Sequence, residues 1–175
     1  MNTLLIGNII AFFGAAVMIC TGFVKKPSHI ITMQCAQFSL MGIGNLVLGG
    51  VSGFITNIVS IVRNLVCLKF AFNTKLKITF IVLQILIAWI AGISGVLGLL
   101  PILSSCIFTW FLDTEDELVM KAVIIGTLVM WIVYDFSLKN YTGFVFDLFT
   151  VVTNTYGAFR ILSERRKAEA ETTAA

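Results

Sequence analysis

The sequence predicts an all-α membrane protein with seven transmembrane helices, arranged as two parallel three-helix bundles joined by a linker helix. Three observations predict it. Of 175 residues, 58% are hydrophobic and only 12% charged, with a mean hydropathy of +0.99, whereas soluble domains hold roughly 45–50% apolar residues. The apolar residues run in stretches of roughly 17 to 21, near the length at which a helix covers about 30 Å of hydrocarbon, and not in the short alternating segments of a membrane barrel. The basic residues, finally, gather on one side of an odd number of such stretches.

Breaks at Gly, Pro and charged residues place the spans at Leu4–Val24, Ile30–Leu48, Gly53–Phe72, Leu76–Ala91, Gly95–Leu112, Leu118–Phe136 and Thr142–Leu162. The first lacks a basic n-region and ends at Lys25-Lys26, which predicts an uncleaved helix with its N-terminus outside rather than a signal peptide. His29 stands at the mouth of the second span and reads as interfacial rather than as a ligand. The fourth and fifth spans divide at Gly92-Ile93-Ser94-Gly95, and Pro101 kinks or starts the fifth. Before the sixth lies the acidic loop Asp113–Glu117, where Thr114 with Glu117 three residues on predicts a capping box. After the seventh, residues 163–175 form a polar cytoplasmic tail, expected to be disordered beyond the headgroup anchors Arg165, Arg166 and Lys167. With seven spans, Lys25, Lys26, Lys69, Lys75, Lys77, Lys121, Arg160, Arg165, Arg166 and Lys167 share the cytoplasmic side, and only Lys139 lies opposite.

The organisation 3+1+3 comes from an internal repeat. A shift of 90 residues lays "NLVLGGVSGFITNIVSIVRN", Asn45–Asn64, on "DFSLKNYTGFVFDLFTVVTN", Asp135–Asn154, without a gap. Leu48, Gly53, Phe54, Val62 and Asn64 meet identical residues, and Asn45, Ser52, Asn57 and Ser60 meet Asp135, Thr142, Asp147 and Thr150. The same shift pairs spans 1, 2 and 3 with 5, 6 and 7. The domains are then a first bundle at 1–72, a linker at 73–94, a second bundle at 95–162 and the tail. Three spans plus a connector restore the starting side, so the halves are parallel repeats, a plan found among transporters.

Candidate site residues follow from the repeat. Gly53, Asn57, Ser60 and Asn64 share one helical face, copied in the second half as Gly143, Asp147, Thr150 and Asn154. Singly, such residues are usually glue between helices, worth about 0.6 to 2 kcal/mol each. As two matched stripes at one depth they predict a cavity across the pseudo-twofold axis, suited to a small polar solute. Arg63 and Asp147 are charges inside spans, each costing about 2.5–3.5 kcal/mol on insertion scales, and so need a partner or water. They are a candidate ion pair, with Asp135 as another partner for Arg63. Trp131 is a candidate platform beside the cavity, and Gln34, Gln37 and Gln84 are weaker supporting groups.

Much is excluded. Cys20, Cys35, Cys67 and Cys106 all lie in apolar runs without a metal-ligand spacing, and no nucleotide-binding, zinc-protease or nucleophile-elbow motif occurs. No metal, cofactor, enzymatic activity or nucleic-acid partner is expected. The partners are the bilayer, a small polar solute and, in a homo-oligomer, a second copy.

The block Gln37–Phe70, with its spaced Gln37, Ser39 and Asn45, its Leu48-Gly49-Gly50 turn, and Asn57 with Ser60–Asn64, resembles the YgjV-type bacterial inner-membrane proteins. That resemblance implies a multi-pass protein of the bacterial inner membrane and no assigned activity. The 3+1+3 plan also resembles the SWEET, PnuC and PQ-loop superfamily of solute carriers, in which Asn residues of the third and seventh helices often line a central cavity. Asn57, Asn64, Asp147 and Asn154 match those places. The chain departs from it in lacking a proline in the first helix of the first bundle, where the second has Pro101. The expected function is binding or transport of a small polar solute, and the alternative is a membrane scaffold or regulatory subunit whose stripes are packing glue.

Overall fold

A computed structural model of the chain describes residues 2–21 and 27–174, and the described residues form seven α-helices with no strand between them. They are α1 (Thr3–Thr21), α2 (Pro27–Val47), α3 (Val51–Cys67), α4 (Thr74–Ile90), α5 (Gly95–Phe111), α6 (Glu117–Leu138) and α7 (Tyr141–Ala174). The division at Gly92–Gly95 falls as the sequence predicts, with positive φ at Gly92 (66°) and Gly95 (77°) ending α4 and admitting α5. Pro101 sits inside α5.

Two helix ends differ from expectation. Helix α3 stops at Cys67, five residues before Phe72, so Arg63 stands one turn from its end rather than midway. Helix α7 runs on through residues 163–174, which polarity alone marked as disordered. That segment is rich in Ala, Glu, Arg and Lys, all strong helix formers, and an Arg160–Glu164 pair at i, i+4 (2.8 Å) reinforces the extension. Lys25 and Lys26, which the orientation argument uses, lie outside the described residues.

The packing is cyclic. Helix α1 packs on α2, α2 on α3, α3 on α5, α5 on α6, α6 on α7, and α7 on α1, closing a ring of six, while α4 stands against α3 and α5 outside it. One end of the ring carries the α2–α3 and α6–α7 turns (the turn end). The other carries the α5–α6 connection, the start of α4 and the extension of α7 (the loop end).

Burial is distributed inside out. Among the described residues the buried side chains are more often polar or charged, as at Asn45, Thr56, Arg63, Gln84, Asp135 and Asn140, than apolar. Leu5, Phe12, Val82, Trp89, Val129, Phe149 and Phe159 face outward, between 48 and 77% exposed. Water is a poor solvent for such a surface. Two helices, Thr3–Cys20 and Glu117–Leu138, are each long and apolar enough to cross a membrane, and Val51–Cys67 and Gly95–Phe111 are apolar but shorter.

Candidate functional site

The two turns at the turn end are built alike. Gly49 (φ 86°) and Lys139 (φ 59°), 90 positions apart, take the left-handed conformation that closes a helix. The bonds around them match as well: Gly50 N donates to Asn45 O (2.7 Å) as Asn140 N does to Asp135 O (2.9 Å), and Gly49 N to Leu46 O (3.0 Å) as Lys139 N to Phe136 O (3.1 Å). Side chains follow the same plan. Asn45 covers Gly53, where an added Cβ would lie 2.7 Å from its Nδ2, and Asp135 covers Gly143, where an added Cβ would overlap the carboxylate.

At this end the halves are fastened together. Asn140 Nδ2 donates to Asn45 Oδ1 (3.3 Å) and to Asp135 Oδ1 (3.2 Å), all three residues being at most 1% exposed. Gly143 N, an unpaired donor in the first turn of α7, finds Asn140 Oδ1 (3.1 Å). Its counterpart Gly53 N has no such neighbour, because the residue before α3 is Gly50 and has no side chain. Tyr134 of α6 reaches over instead, its hydroxyl accepting from Gly53 N (2.9 Å) and from Ser52 Oγ (3.0 Å). Tyr134→Phe therefore strands two buried donors. At roughly 1–3 kcal/mol for unsatisfied buried groups, the melting temperature of the purified protein is expected to fall by about 2–10 °C. An unchanged melt in a thermal-shift assay would mean that water replaces the phenol at no cost.

The predicted stripes do not face each other. Helices α3 and α7 lie on opposite sides of the ring, without extensive packing on one another. Each stripe turns instead to the middle helix of its own half. On α3, Asn57 lies close under Gly42 of α2, where an added Cβ would be 3.2 Å away, and its amide donates to Gly53 O (2.8 Å), while Asn64 donates to Gln34 of α2 (3.1 Å). On α7, Thr150 donates to Phe146 O (2.9 Å) and Asn154 to Thr150 O (2.8 Å), and Gly157 accommodates the Lys121 stem of α6. Glycines spaced along these faces let neighbouring helices close in, which sequence periodicity alone does not reveal. Asp147, on the same face of α7, is half-buried and among the described residues has no hydrogen bond or ion pair. Trp131 packs edge-on against Tyr134, with ring centroids 5.7 Å apart.

A second polar face of α3 joins the halves. Ser52, Thr56, Val59 and Arg63, spaced by three and four, are all buried on the side toward α4, α5 and α6. Thr56 accepts from Gln84 Nε2 of α4 (3.1 Å), and Arg63 Nη1 donates to Thr109 Oγ1 of α5 (2.9 Å), its guanidinium 5.4 Å from the centre of the Phe108 ring. The expected ion pair is absent: among the described residues Arg63 pairs with neither Asp147 nor Asp135. The helix order sets it beside α5, away from α7, and Asp135 belongs to the opposite end of the ring. Among the described residues three buried polar atoms have no partner, namely Arg63 Nε, Gln84 Oε1 and Gln37 Oε1.

Tyr134, Asn140, Thr56 and Thr109 were not singled out from sequence. Asn140 had a usable signal, an Asn just ahead of an apolar run, which is the pattern of a helix N-cap. The others had none, because their importance lies in which helix they meet.

The loop end is clasped by charges. Lys77 of α4 pairs with Asp113 and lies 5.7 Å from the Trp110 ring, and Arg165 on the α7 extension pairs with Asp116 (3.0 Å). The Lys77 hydrogen bond holds the Asp113 carboxyl below its ordinary range. The Arg165 bond, helped by Leu118 N and Val119 N, does the same for Asp116. Those two amides identify Asp116, not Thr114, as the cap of α6, since α6 begins at Glu117 and no capping box forms. Two surface recesses open near this end, one of about 450 Å³ lined by Phe159, Leu162, Ser163, Arg166 and Lys167, the other of about 510 Å³ lined by Val66, Phe70, Ala71, Asn73, Lys75 and Leu76. Neither reaches Asn57 or Asp147. Among the described residues no cluster of His, Cys, Asp and Glu is suited to a metal, and the four cysteines are free.

No curated protein and no solved structure matches the chain. A family model does, over residues 5–165, described as Imp-YgjV, bacterial inner membrane protein. That match takes in every helix from α1 to most of α7, and it agrees with a fold whose polar groups are inside and whose apolar groups are outside. The chain belongs to the Imp-YgjV family of bacterial inner membrane proteins.

Proposed function

We propose that the chain is a seven-span solute carrier that binds a small polar molecule between two three-helix repeats and passes it by alternating access. The observation that carries this reading is the polar junction between the repeats. The α3 face of Ser52, Thr56 and Arg63 meets Tyr134, Gln84 and Thr109, and Arg63 brings to it a buried charge, which hydrogen-bonded glue between membrane helices does not need. Support for the 3+1+3 plan comes from the symmetric packing order, in which α3 on α5 mirrors α7 on α1, and from the turn bonds repeated at an offset of 90 residues. The apolar exterior supports seven membrane crossings, and the basic residues at the loop end support a cytoplasmic C-terminus. In this reading the hydrogen-bonded turn end is the outer gate, and Asp147 receives the solute or a coupling proton. The binding surface shifts from the predicted stripes to the α3–α5 junction. Asn57 and Asn64 stand behind it and Thr150 and Asn154 lie on α7 across the ring, their local bonds fixing the helices that line the path, while Trp131 packs on Tyr134. Architecture of this kind resembles the SWEET and PQ-loop carriers, and Pro101 in α5 is the place where the second repeat can bend.

A non-transporting scaffold is the second reading, favoured by the α3 stripe lying against α2, with Asn64 bonded to Gln34. Cysteine substitution at Thr56, Thr109, Asp147 and Asn154, in a chain freed of its native cysteines, separates the two. A carrier exposes some of these positions to a membrane-impermeant thiol reagent, with rates that change when solute is present. Uniform protection, together with no uptake of sugars, nucleosides or amino acids by proteoliposomes, would leave the scaffold.

A further inference from the structure

We infer that Arg63 is an oxyanion-binding residue, and that the solute carries a carboxylate or phosphate group which seats on the free edge of its guanidinium at the α3–α5 junction. This deepens the carrier reading and rests on it in that the solute enters between the repeats.

Arg63 is 3% exposed, yet of its five N–H donors one makes a hydrogen bond, from Nη1 to Thr109 Oγ1. Nε is buried and unpartnered. Nε and Nη2 together form the side of the fork that matches a carboxylate or phosphate with two parallel bonds, and Nη1, the nitrogen left outside that pairing, is the one the protein occupies. The Phe108 ring at 5.4 Å covers the guanidinium and Thr109 fixes its rotation, so the edge is held in one orientation before any ligand arrives.

Among the described residues no carboxylate pairs with Arg63. At the same end of the ring Asp113 is held by Lys77 and Asp116 by Arg165. Asp135 is bonded to Asn140 at the other end, and Asp147 lies on α7, across the ring. A buried guanidinium without a counter-charge is costly to keep unless something brings one. The charge belongs to the first repeat alone, since the position equivalent to Arg63 is Thr153. A coupling or selectivity function fits such asymmetry better than the common framework does.

The test uses the full chain in phosphatidylcholine nanodiscs, with sodium acetate and sodium phosphate as probes against chloride at equal ionic strength. Binding is read by thermal shift and by mass-spectrometric mapping of phenylglyoxal labelling. Acetate or phosphate is expected to raise the melting temperature and to slow labelling of Arg63, while Arg160, Arg165 and Arg166 react regardless. Arg63→Gln is expected to weaken binding at least about tenfold, and Arg63→Lys to restore part of it, charge without the planar fork. The labelling experiment needs only the wild-type chain and so decides the matter even if the variants fail to fold. Equal affinity in Arg63→Gln, no anion effect on the wild type, or no labelling of Arg63 under any condition would overturn the assignment. So would protection by phosphatidylglycerol in the disc with nothing added by acetate or phosphate, which gives the site to a lipid headgroup. Uptake of a neutral solute unaffected by Arg63→Gln removes the oxyanion and keeps the carrier; acetate seated on Arg63 without uptake of any solute keeps the site and removes transport.

Discussion

Gly143→Ala is expected to lower the melting temperature of the detergent-solubilised protein by about 5–15 °C, while Gly126→Ala is expected to leave it unchanged or raise it slightly. A methyl group at 143 would overlap the Asp135 carboxylate and press within 2.6 Å of Asn140 Nδ2. Asp135 is 1% exposed and bonded to Asn140, which also holds Gly143 N and Asn45. It cannot move aside without breaking the bonds that fasten the α2–α3 and α6–α7 turns together. Overpacking costs roughly 1–3 kcal/mol, and exposing unsatisfied buried groups adds a similar amount. Gly126, on an exposed face of α6, has no atom within 4 Å of an added Cβ, so there only the helix propensity of alanine acts, worth about 0.5–1 kcal/mol. Equal melts for the two variants would mean that the Asp135–Gly143 seat does not hold the α6–α7 turn together.

That seat also shows how far the sequence could be read. The shift of 90 residues that aligned Asn45 with Asp135 and Gly53 with Gly143 was visible in the letters, and in the fold each member of the first pair covers the matching member of the second. The left-handed residue closing the turn is a glycine in one half, where composition announces it, and Lys139 in the other, where nothing does. Periodicity correctly grouped Gly53, Asn57, Ser60 and Asn64 on one face, but a face has no address. Whether it meets α2 or α7 depends on the order in which helices close the ring, a long-range property that no local spacing encodes. The same applies to Arg63: its burial was legible as a charge inside an apolar run, whereas its neighbour Thr109 is 46 positions away on another helix. The helical tail is legible in the propensity of its Ala, Glu, Arg and Lys, which prevails over the polarity that predicts disorder.

On the proposed carrier reading, Asp147→Asn is expected to abolish solute uptake while leaving the fold intact, and the alignment at a shift of 90 residues supplies the reason for both halves of that statement. The equivalent position in the first repeat is Asn57, whose amide donates to Gly53 O one turn back, at 2.8 Å. An asparagine at 147 has the same turn available, with Gly143 O in the place of Gly53 O, so it meets a partner that the carboxylate does not have. Nothing in the packing resists the change, since the side chain is half-buried and isosteric. What disappears is the charge. With it goes a group that can take up and release a proton at that position, so uptake coupled to a proton is lost. The measurement is initial uptake into proteoliposomes for wild type, Asp147→Asn and Asp147→Ala, each first compared by thermal melt. If the carboxylate carries the solute or a coupling proton, both variants fail to accumulate solute although Asp147→Asn melts at or above the wild-type temperature. Wild-type uptake by Asp147→Asn would instead make the second repeat's carboxylate as dispensable as its amide counterpart in the first, and would leave Arg63 as the single charge on the path.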